Sequence, residues 1–363
     1  MNFFMNDGHR PSYLQLYEQL KHDILHGGYV YGDRLPSKRA LAMELGVSVA
    51  PVTHAYALLC EEGYVEARER SGYFVCYRSE DFLLKASSVD SFYNVPNRAA
   101  VPDDDALPYT ILAKAMRQVI TDRGEHLLEK SPNQGLWQLR QTLSRYLTRA
   151  CGMEATPEQI VIGSGAEYLY GLLVQLLGRT RAYALEMPCY EQIHRVYGAH
   201  GVHCEMLPLV SGGIDAAALA QCDAGVLHVT PFHSYPSGIT ANRAKRMEYI
   251  EWARLHDATI IEDNYNAELT VSEHNDTTLY ALAEGVDVIY LNTFSHTISP
   301  ALRVGYMVLP TSLLSRFETR LGFYSCTVPT FEQYLLAELL QNGDFERHIN
   351  RLRHAKRLAL KKQ

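Results

Sequence analysis

The stretch Leu291-Asn292-Thr293-Phe294-Ser295-His296-Thr297-Ile298-Ser299-Pro300-Ala301-Leu302-Arg303-Val304-Gly305-Tyr306-Met307-Val308-Leu309-Pro310 decides how the rest of the chain is read. An apolar run (Val286, Val288, Ile289, Leu291) ends in hydroxyl-bearing residues, and a second apolar run follows Arg303. That pattern predicts strand, polar turn, strand. Residues of such a turn, just past a strand, are candidates for ligand contact.

Upstream, short apolar strands alternate with helical stretches: Val161-Ile162, Ala182 to Leu185, Gly225 to Val229, Thr259 to Ile261 and Val288 to Leu291. Continuous apolar strands separated by helices imply an α/β unit with a mostly parallel sheet covered on both faces. Ligands of such sheets bind beyond the carboxyl ends of the strands, so the residues just after each strand carry the information. Gly163-Ser164-Gly165-Ala166 opens a helix bearing Tyr168, Leu169, Leu172, Leu173 and Leu176, and backbone N–H groups there could cradle a phosphate or serve only close packing. Tyr190, after Glu186-Met187-Pro188-Cys189, could stack on an aromatic ring or belong to the core. After Val229 comes Thr230-Pro231-Phe232-His233-Ser234-Tyr235-Pro236-Ser237-Gly238, and after Ile261 comes Glu262-Asp263-Asn264-Tyr265. A carboxylate buried at a strand end needs a partner, and a protonated pyridine nitrogen is one; helix capping is the other role open to Asp263.

Before this unit, helical spacing of Leu14, Leu16, Tyr17, Leu20 and Ile24 is broken by Gly27-Gly28. Ser37 can cap a second helix running to about Leu45 and ended by Gly46. Ser48 sits where a third helix would be capped, Pro51 is tolerated in its first turn, and Val52, Ala55, Tyr56, Leu58 and Leu59 follow before Gly63. Two short helices joined by a tight turn form a helix-turn-helix. Tyr64 to Arg68 and Tyr73 to Cys76 then make a hairpin wing. From Ser79 to about Asp105 periodicity is lost in a Ser, Asp, Asn and Pro-rich stretch that reads as a linker.

A chain of 363 residues holds at least two domains, and 47% hydrophobic with 21% charged residues is ordinary for a folded soluble protein. No run approaches the apolar length that spans a membrane, and the first residues lack the pattern of an export signal. Seven scattered cysteines without a C-x-x-C pair point to a reducing cytoplasm and no zinc site. The net charge of −7 argues against a generally basic nucleic-acid coat but allows a local basic surface.

Leu35-Pro36-Ser37-x-Arg39, Leu41-Ala42, Leu45-Gly46-Val47-Ser48, Ala55-Tyr56, Leu59, Glu62-Gly63-Tyr64-Val65 and Ser71-Gly72-Tyr73-Phe74-Val75 resemble the winged helix-turn-helix of GntR regulators. With the strand-end motifs, the chain resembles the MocR branch, in which that module is fused through a linker to a fold type I, aminotransferase-like domain. The resemblance implies a winged helix-turn-helix at 10–78, a linker at 79–105, a large domain at 106–310 and a partial small domain at 311–363. It also implies double-stranded DNA as partner, through Ser37, Arg39, Ser48, Thr53, Arg70 and Gly72, and a homodimer bound to two half-sites. For pyridoxal 5'-phosphate it implies phosphate contacts from Ser164, Gly165, Ala166, Ser295 and Arg303, ring stacking by Tyr190, and Asp263 on the pyridine nitrogen. Tyr265 would face the ring hydroxyl, and His233 matches the branch's Thr-Pro-x-His loop.

Three departures qualify this. The family's arginine after Ser48 is replaced by Val49, which removes a bidentate contact. The Schiff-base lysine is replaced by His296, whose imidazole cannot form that bond, and no other lysine lies in these loops; Lys245, beside Arg243 and Arg246, is expected to be solvated. After Pro310 only about fifty residues remain, closing with a helix around Asp344 to His354 and a basic tail, so most of the small domain, with the arginine that grips an amino-acid carboxylate, is expected to be missing. These features favour a transcription regulator whose second domain is non-catalytic, binding a small-molecule effector, binding pyridoxal phosphate noncovalently, or only dimerising. The alternatives are an active aminotransferase and, for the first module, a winged helix that binds protein.

Overall fold

A computed structural model describes residues 13–69, 71–77, 107–265, 267–269 and 277–360. Contacts divide the chain into two compact units, residues 1–99 and 100–363. The expected linker, Arg70, and Lys361 and Lys362 lie outside the described residues.

In the first unit, α1 (Tyr13–Leu25), α2 (Lys38–Glu44) and α3 (Val49–Glu61) precede a hairpin of β1 (Val65–Arg68) and β2 (Gly72–Val75). The apolar stripe of α1 (Leu16, Tyr17, Leu20, Ile24) and that of α3 (Val52, Ala55, Tyr56, Leu59) are buried together with Leu41 of α2. Ser37 caps α2 by accepting the Ala40 N–H at 3.1 Å. Gly46, at φ +64°, takes the left-handed turn between α2 and α3. The Tyr56 hydroxyl donates to the Pro36 carbonyl at 2.8 Å, fixing α3 to the entry of α2. β1 and β2 are antiparallel, with Val65 opposite Val75, and the backbone of Asp33 and Leu35 bonds along β2 as a third edge.

The second unit begins with α4 (Tyr109–Arg123) and α5 (Trp137–Cys151) and continues as β3 (Ile160–Gly163), α6 (Ala166–Leu177), β4 (Tyr183–Met187), α7 (Glu191–Ala199), β5 (Cys204–Val210) and β6 (Gly213–Ile214). It proceeds through α8 (Ala216–Gln221), β7 (Val226–Val229), α9 (Arg243–Leu255), β8 (Thr259–Asp263), α10 (Leu279–Leu282), β9 (Val288–Thr293) and β10 (Gly305–Val308). It closes with α11 (Thr311–Leu321), α12 (Thr330–Gln341) and α13 (Asp344–Leu360).

The strands form one eight-stranded sheet, in the order β3-β10-β9-β8-β7-β4-β5-β6. Strands β5, β4, β7, β8 and β9 pair in parallel, whereas β10 runs antiparallel to both its neighbours and β6 is antiparallel to β5. The mostly parallel α/β sheet read from the sequence is therefore the fold. Strand alternation sends Tyr290, Tyr306 and Val308 into a core with α5, α12 and α13, and Ile289, Leu291 and Met307 into another with α6 and α11. The segment from 311 on thus supplies α11 to one core and α12 and α13 to the other.

Gln333 of α12 clamps the first of these cores. Its side chain donates to the Ser131 hydroxyl at 3.0 Å and the Val328 carbonyl at 2.8 Å, and accepts the Leu136 N–H at 2.7 Å. Gly135 beside it has φ +99°, and a Cβ there would lie 2.5 Å from Ile162 Cγ1. The turn therefore needs glycine for its backbone and for the close approach.

Candidate functional site

The sheet brings the sequence motifs to one edge. Because β10 is reversed, Gly305 lies level with Gly163 at the end of β3 and Thr293 at the end of β9, which returns Arg303 to that edge. Gly165, at φ +89°, caps the 12-residue α6, and a Cβ at Gly165 would lie 3.1 Å from Arg303 Nη2. The backbone at the helix start and the guanidinium thus form one concavity, with Ala166 as its first helical residue. Arg303 pairs with Glu167 at 3.0 Å, and both side chains are half exposed, so the pair is weakly held and exchangeable. Ser164 donates its N–H to Thr327 Oγ1 at 3.2 Å, and the Thr327 hydroxyl donates to Ser164 Oγ at 3.0 Å. Ser295 is half-buried and His296 exposed in the turn after β9.

Asp263 ends β8 and is buried. Its Oδ2 accepts the Tyr170 hydroxyl in a short hydrogen bond, and His228 Nε2 lies 3.5 Å from the same oxygen. His228 Nδ1 meets the Tyr197 hydroxyl at 2.7 Å. Burial, and then Asp263, push the Tyr170 hydroxyl well above the ordinary tyrosine range, so it stays a donor. Asp263 Oδ1 is buried with no hydrogen-bond partner among the described residues. A buried carboxylate oxygen left bare costs about 1–3 kcal/mol, so this atom is open to a further donor.

The capping role once open to Asp263 belongs to its neighbour. Glu262, on the opposite face of β8, accepts the Leu279 and Tyr280 N–H groups at 2.9 and 2.8 Å, and Thr278 caps α10 through the Ala281 N–H. Burial pushes Glu262 up to about 7. Glu186, in β4, accepts the Ser234 hydroxyl at 2.7 Å, and burial pushes it up to about 8.

Tyr190 is 43% exposed, so it does not belong to the core, and its ring meets Tyr235 edge-on at 6.2 Å. The Tyr265 hydroxyl donates to the His233 carbonyl at 3.3 Å, and its ring meets His296 edge-on at 5.2 Å. Burial is the main cause of the Tyr265 hydroxyl's rise to about 12. His233 takes a left-handed backbone, φ 56°, with its N–H on Thr240 Oγ1 at 3.1 Å. The structure therefore joins Gly165 with Arg303, and Tyr265 with His233 and His296; Ser295 shares no hydrogen bond with the other site residues among those described.

Sequence reading missed Tyr170, His228, Tyr197 and Thr327. His228 carried a signal, an imidazole inside an otherwise apolar strand, whereas Tyr170 is indistinguishable from core in the α6 stripe. One expectation fails: Lys245 is not solvated but pairs with Glu248 at 2.8 Å, its stem against Gly213, while Arg246 is buried with its guanidinium 4.9 Å from the Phe232 ring centre. Gly213 has no Cβ, which opens the space that the lysine stem fills.

In the first unit, Ser48 caps α3 without using its side chain, and Ser48 and Arg39 are exposed. Thr53 turns its hydroxyl back to the Val49 carbonyl at 3.0 Å. Gly72, at φ +113°, lies against Arg34, whose Nε would be 3.1 Å from a Cβ there.

Residues 12–75 match the model of bacterial regulatory proteins of the gntR family. The chain is 30% identical over 352 residues to the HTH-type transcriptional regulator YdeL of Bacillus subtilis, covering 94% of this chain and 76% of that protein. It is 31% identical over 355 residues to the HTH-type pyridoxine biosynthesis transcriptional regulator PdxR of Corynebacterium glutamicum, covering 95% and 77%. The chain belongs to the GntR family, in its MocR branch. Rhizobium meliloti MocR itself, a probable rhizopine catabolism regulatory protein, is 26% identical over 370 residues, covering 96% of this chain and 75% of that protein. The second unit of this GntR regulator has the fold of an archaeal alanine:glyoxylate aminotransferase, with TM-score 0.63 and 23% identity, covering 68% of this chain and 63% of that one. A kynurenine aminotransferase of Pyrococcus horikoshii gives TM-score 0.61 at 23% identity, covering 68% and 64%.

The bare Asp263 oxygen is open to a hydrogen-bond donor, and the Gly165–Arg303 concavity is open to an anion. Among the described residues no cluster of His, Cys, Asp or Glu is placed to hold a metal ion, and no helix is long and apolar enough to cross a membrane.

Proposed function

We propose that this transcription regulator binds pyridoxal 5'-phosphate noncovalently on a non-catalytic aminotransferase-like domain, and that this ligand acts as the effector of DNA binding by a cytoplasmic homodimer. The observation that carries the reading is the buried, unpartnered oxygen of Asp263 at the ligand-binding edge of the sheet. When bound, the cofactor supplies a pyridinium ring and an aldehyde. Asp263 would hold the proton at the ring nitrogen, with Tyr170 and His228 fixing its other oxygen. Ser164, Gly165, Ala166 and Ser295 would take the phosphate with Arg303, which exchanges Glu167 for it. Tyr190 would stack on the ring, Tyr265 would face its hydroxyl, and His233 would position Tyr265 through its carbonyl.

His296 decides between a sensor and an enzyme. An imidazole offers no primary amine to the aldehyde, so the ligand is held by contacts alone and no amino group is transferred. The name of the relative PdxR, a pyridoxine biosynthesis regulator, supports a vitamer as effector. Residues 10–78 would bind DNA, 106–310 would form the large domain and 311–363 part of a small domain; sedimentation at micromolar concentration should give a dimer, and a strict monomer would count against the assembly.

The test is absorbance and intact mass of the purified protein with and without pyridoxal phosphate. Cofactor absorbance should be lost on dialysis and leave no mass adduct after borohydride, whereas His296→Lys should yield a borohydride-trapped adduct. A trapped adduct on the wild-type chain would overturn the noncovalent reading.

A further inference from the structure

The exposed face of α3 differs in chemistry from its surroundings. Its buried stripe is Val52, Ala55, Tyr56 and Leu59, so the opposite face presents Val49, Ala50, His54 and Ala57, with half-buried Thr53 between them. None of the 13 residues of α3 is Lys or Arg. The Thr53 hydroxyl is occupied by the Val49 carbonyl at 3.0 Å, which leaves its methyl as the group free to contact a partner. His54 is held edge-on against Tyr13, with ring centres 5.7 Å apart. The cations lie elsewhere: Lys38 and Arg39 in the first turn of α2, Lys38 5.1 Å from the Tyr73 ring centre, and on the wing side Arg34 beside Gly72 and Arg68 4.5 Å from the Phe74 ring centre.

In a helix-turn-helix, the second helix enters the major groove while the first helix crosses the backbone. The charges that grip phosphates are therefore separated from the surface that reads bases. Guanine is read by bidentate Arg or Lys, which α3 lacks; thymine is read through its C5-methyl by small apolar groups, which α3 has.

We propose that α3 reads thymine methyls in A·T-containing half-sites, with Val49, Ala50 and the Thr53 methyl as the specificity-determining groups. The proposal rests on the winged helix binding DNA, and the test separates the two. The full chain is used to select duplexes from a random pool, and the selected sites are then rebuilt with uracil in place of thymine.

The selected half-sites should centre on A·T pairs, each methyl removed at the α3 contacts should weaken binding about fourfold, and low-salt retention of random duplex should stay unchanged. Val49→Arg, at an exposed first helical position, should bring guanine into the selected site. Guanine-centred wild-type sites, or equal binding of uracil and thymine duplexes, would overturn the methyl readout alone. Failure to retain any duplex at low salt would overturn DNA binding itself and the methyl readout with it.

Discussion

Asp263→Asn tests the site at the atom that defines it. The wild-type carboxylate has one oxygen engaged by Tyr170 and one buried oxygen without a partner. Asparagine keeps the size, and its carbonyl oxygen can still accept from Tyr170, so the domain should fold with little change in melting temperature. On the proposed reading, what is lost is the negative charge offered to a protonated ring nitrogen, replaced by an NH2 group that donates where a donor should arrive. A hydrogen bond to a charged group contributes about 1.5–3 kcal/mol, which corresponds to roughly 10- to 150-fold in affinity. Titration of the purified chain with pyridoxal phosphate, followed by calorimetry, should show that loss. Tyr170→Phe should give a smaller loss, because it removes only the group that orients Asp263. A folded Asp263→Asn protein that binds within twofold of wild type would refute the reasoning, since the bare oxygen would then have no ligand to meet.

Other outcomes follow from single features. Burial raises Glu186 to about 8, Glu262 to about 7 and Glu268 to about 6, from an ordinary 4.5, so each native carboxyl holds its proton more tightly than the unfolded chain does. Their contribution to stability is full below about pH 4.5 and is lost as pH rises through 6 to 8, at up to about 1.4 kcal/mol per pH unit for each group. Thermal melts from pH 6 to 9 should show this decline, flatter in Glu186→Gln; identical slopes would remove Glu186 as a cause. Gly135→Ala places a Cβ 2.5 Å from Ile162 Cγ1 at a left-handed position and should destabilise the second unit by about 2–4 kcal/mol in urea melts, with an unchanged midpoint ruling out the packing argument. Arg39→Ala should weaken duplex binding and shallow its salt dependence by about one ion, whereas equal binding would favour a winged helix that contacts protein.

The parts legible in the sequence were those written in periodicity. The buried stripes of α1, α3 and α6, the wing, and strands β3, β4, β7, β8, β9 and β10 all fall where apolar spacing and Gly or Ser punctuation put them. Strands β5 and β6 did not announce themselves, because Cys204 to Val210 shows no two-residue alternation, with buried Leu207 following three half-buried residues. At the site, Gly165, Asp263, Tyr265 and Arg303 were marked by their place after strands. Their supports were not: Tyr170 and Thr327 reach the edge from 93 and 163 residues away, and such long-range partners leave no local pattern. Lys245 misled because a lysine between two arginines reads as solvated until the empty space over Gly213 is seen.

The reversed strand β10 sets a limit on how this site can vary. Its neighbours hold it in register, with Gly305 opposite both Gly163 and Thr293. Side chains alternate along it, Tyr306 into one core and Met307 into the other. Losing one residue between Thr293 and Gly305 would pull Arg303 away from Gly165 or slide β10 by one position, exchanging Tyr306 and Met307 between faces. The turn's length is therefore a phase setting, anchored by buried Phe294, Ile298 and Val304, whereas the exposed position 296 can change without disturbing where Arg303 stands.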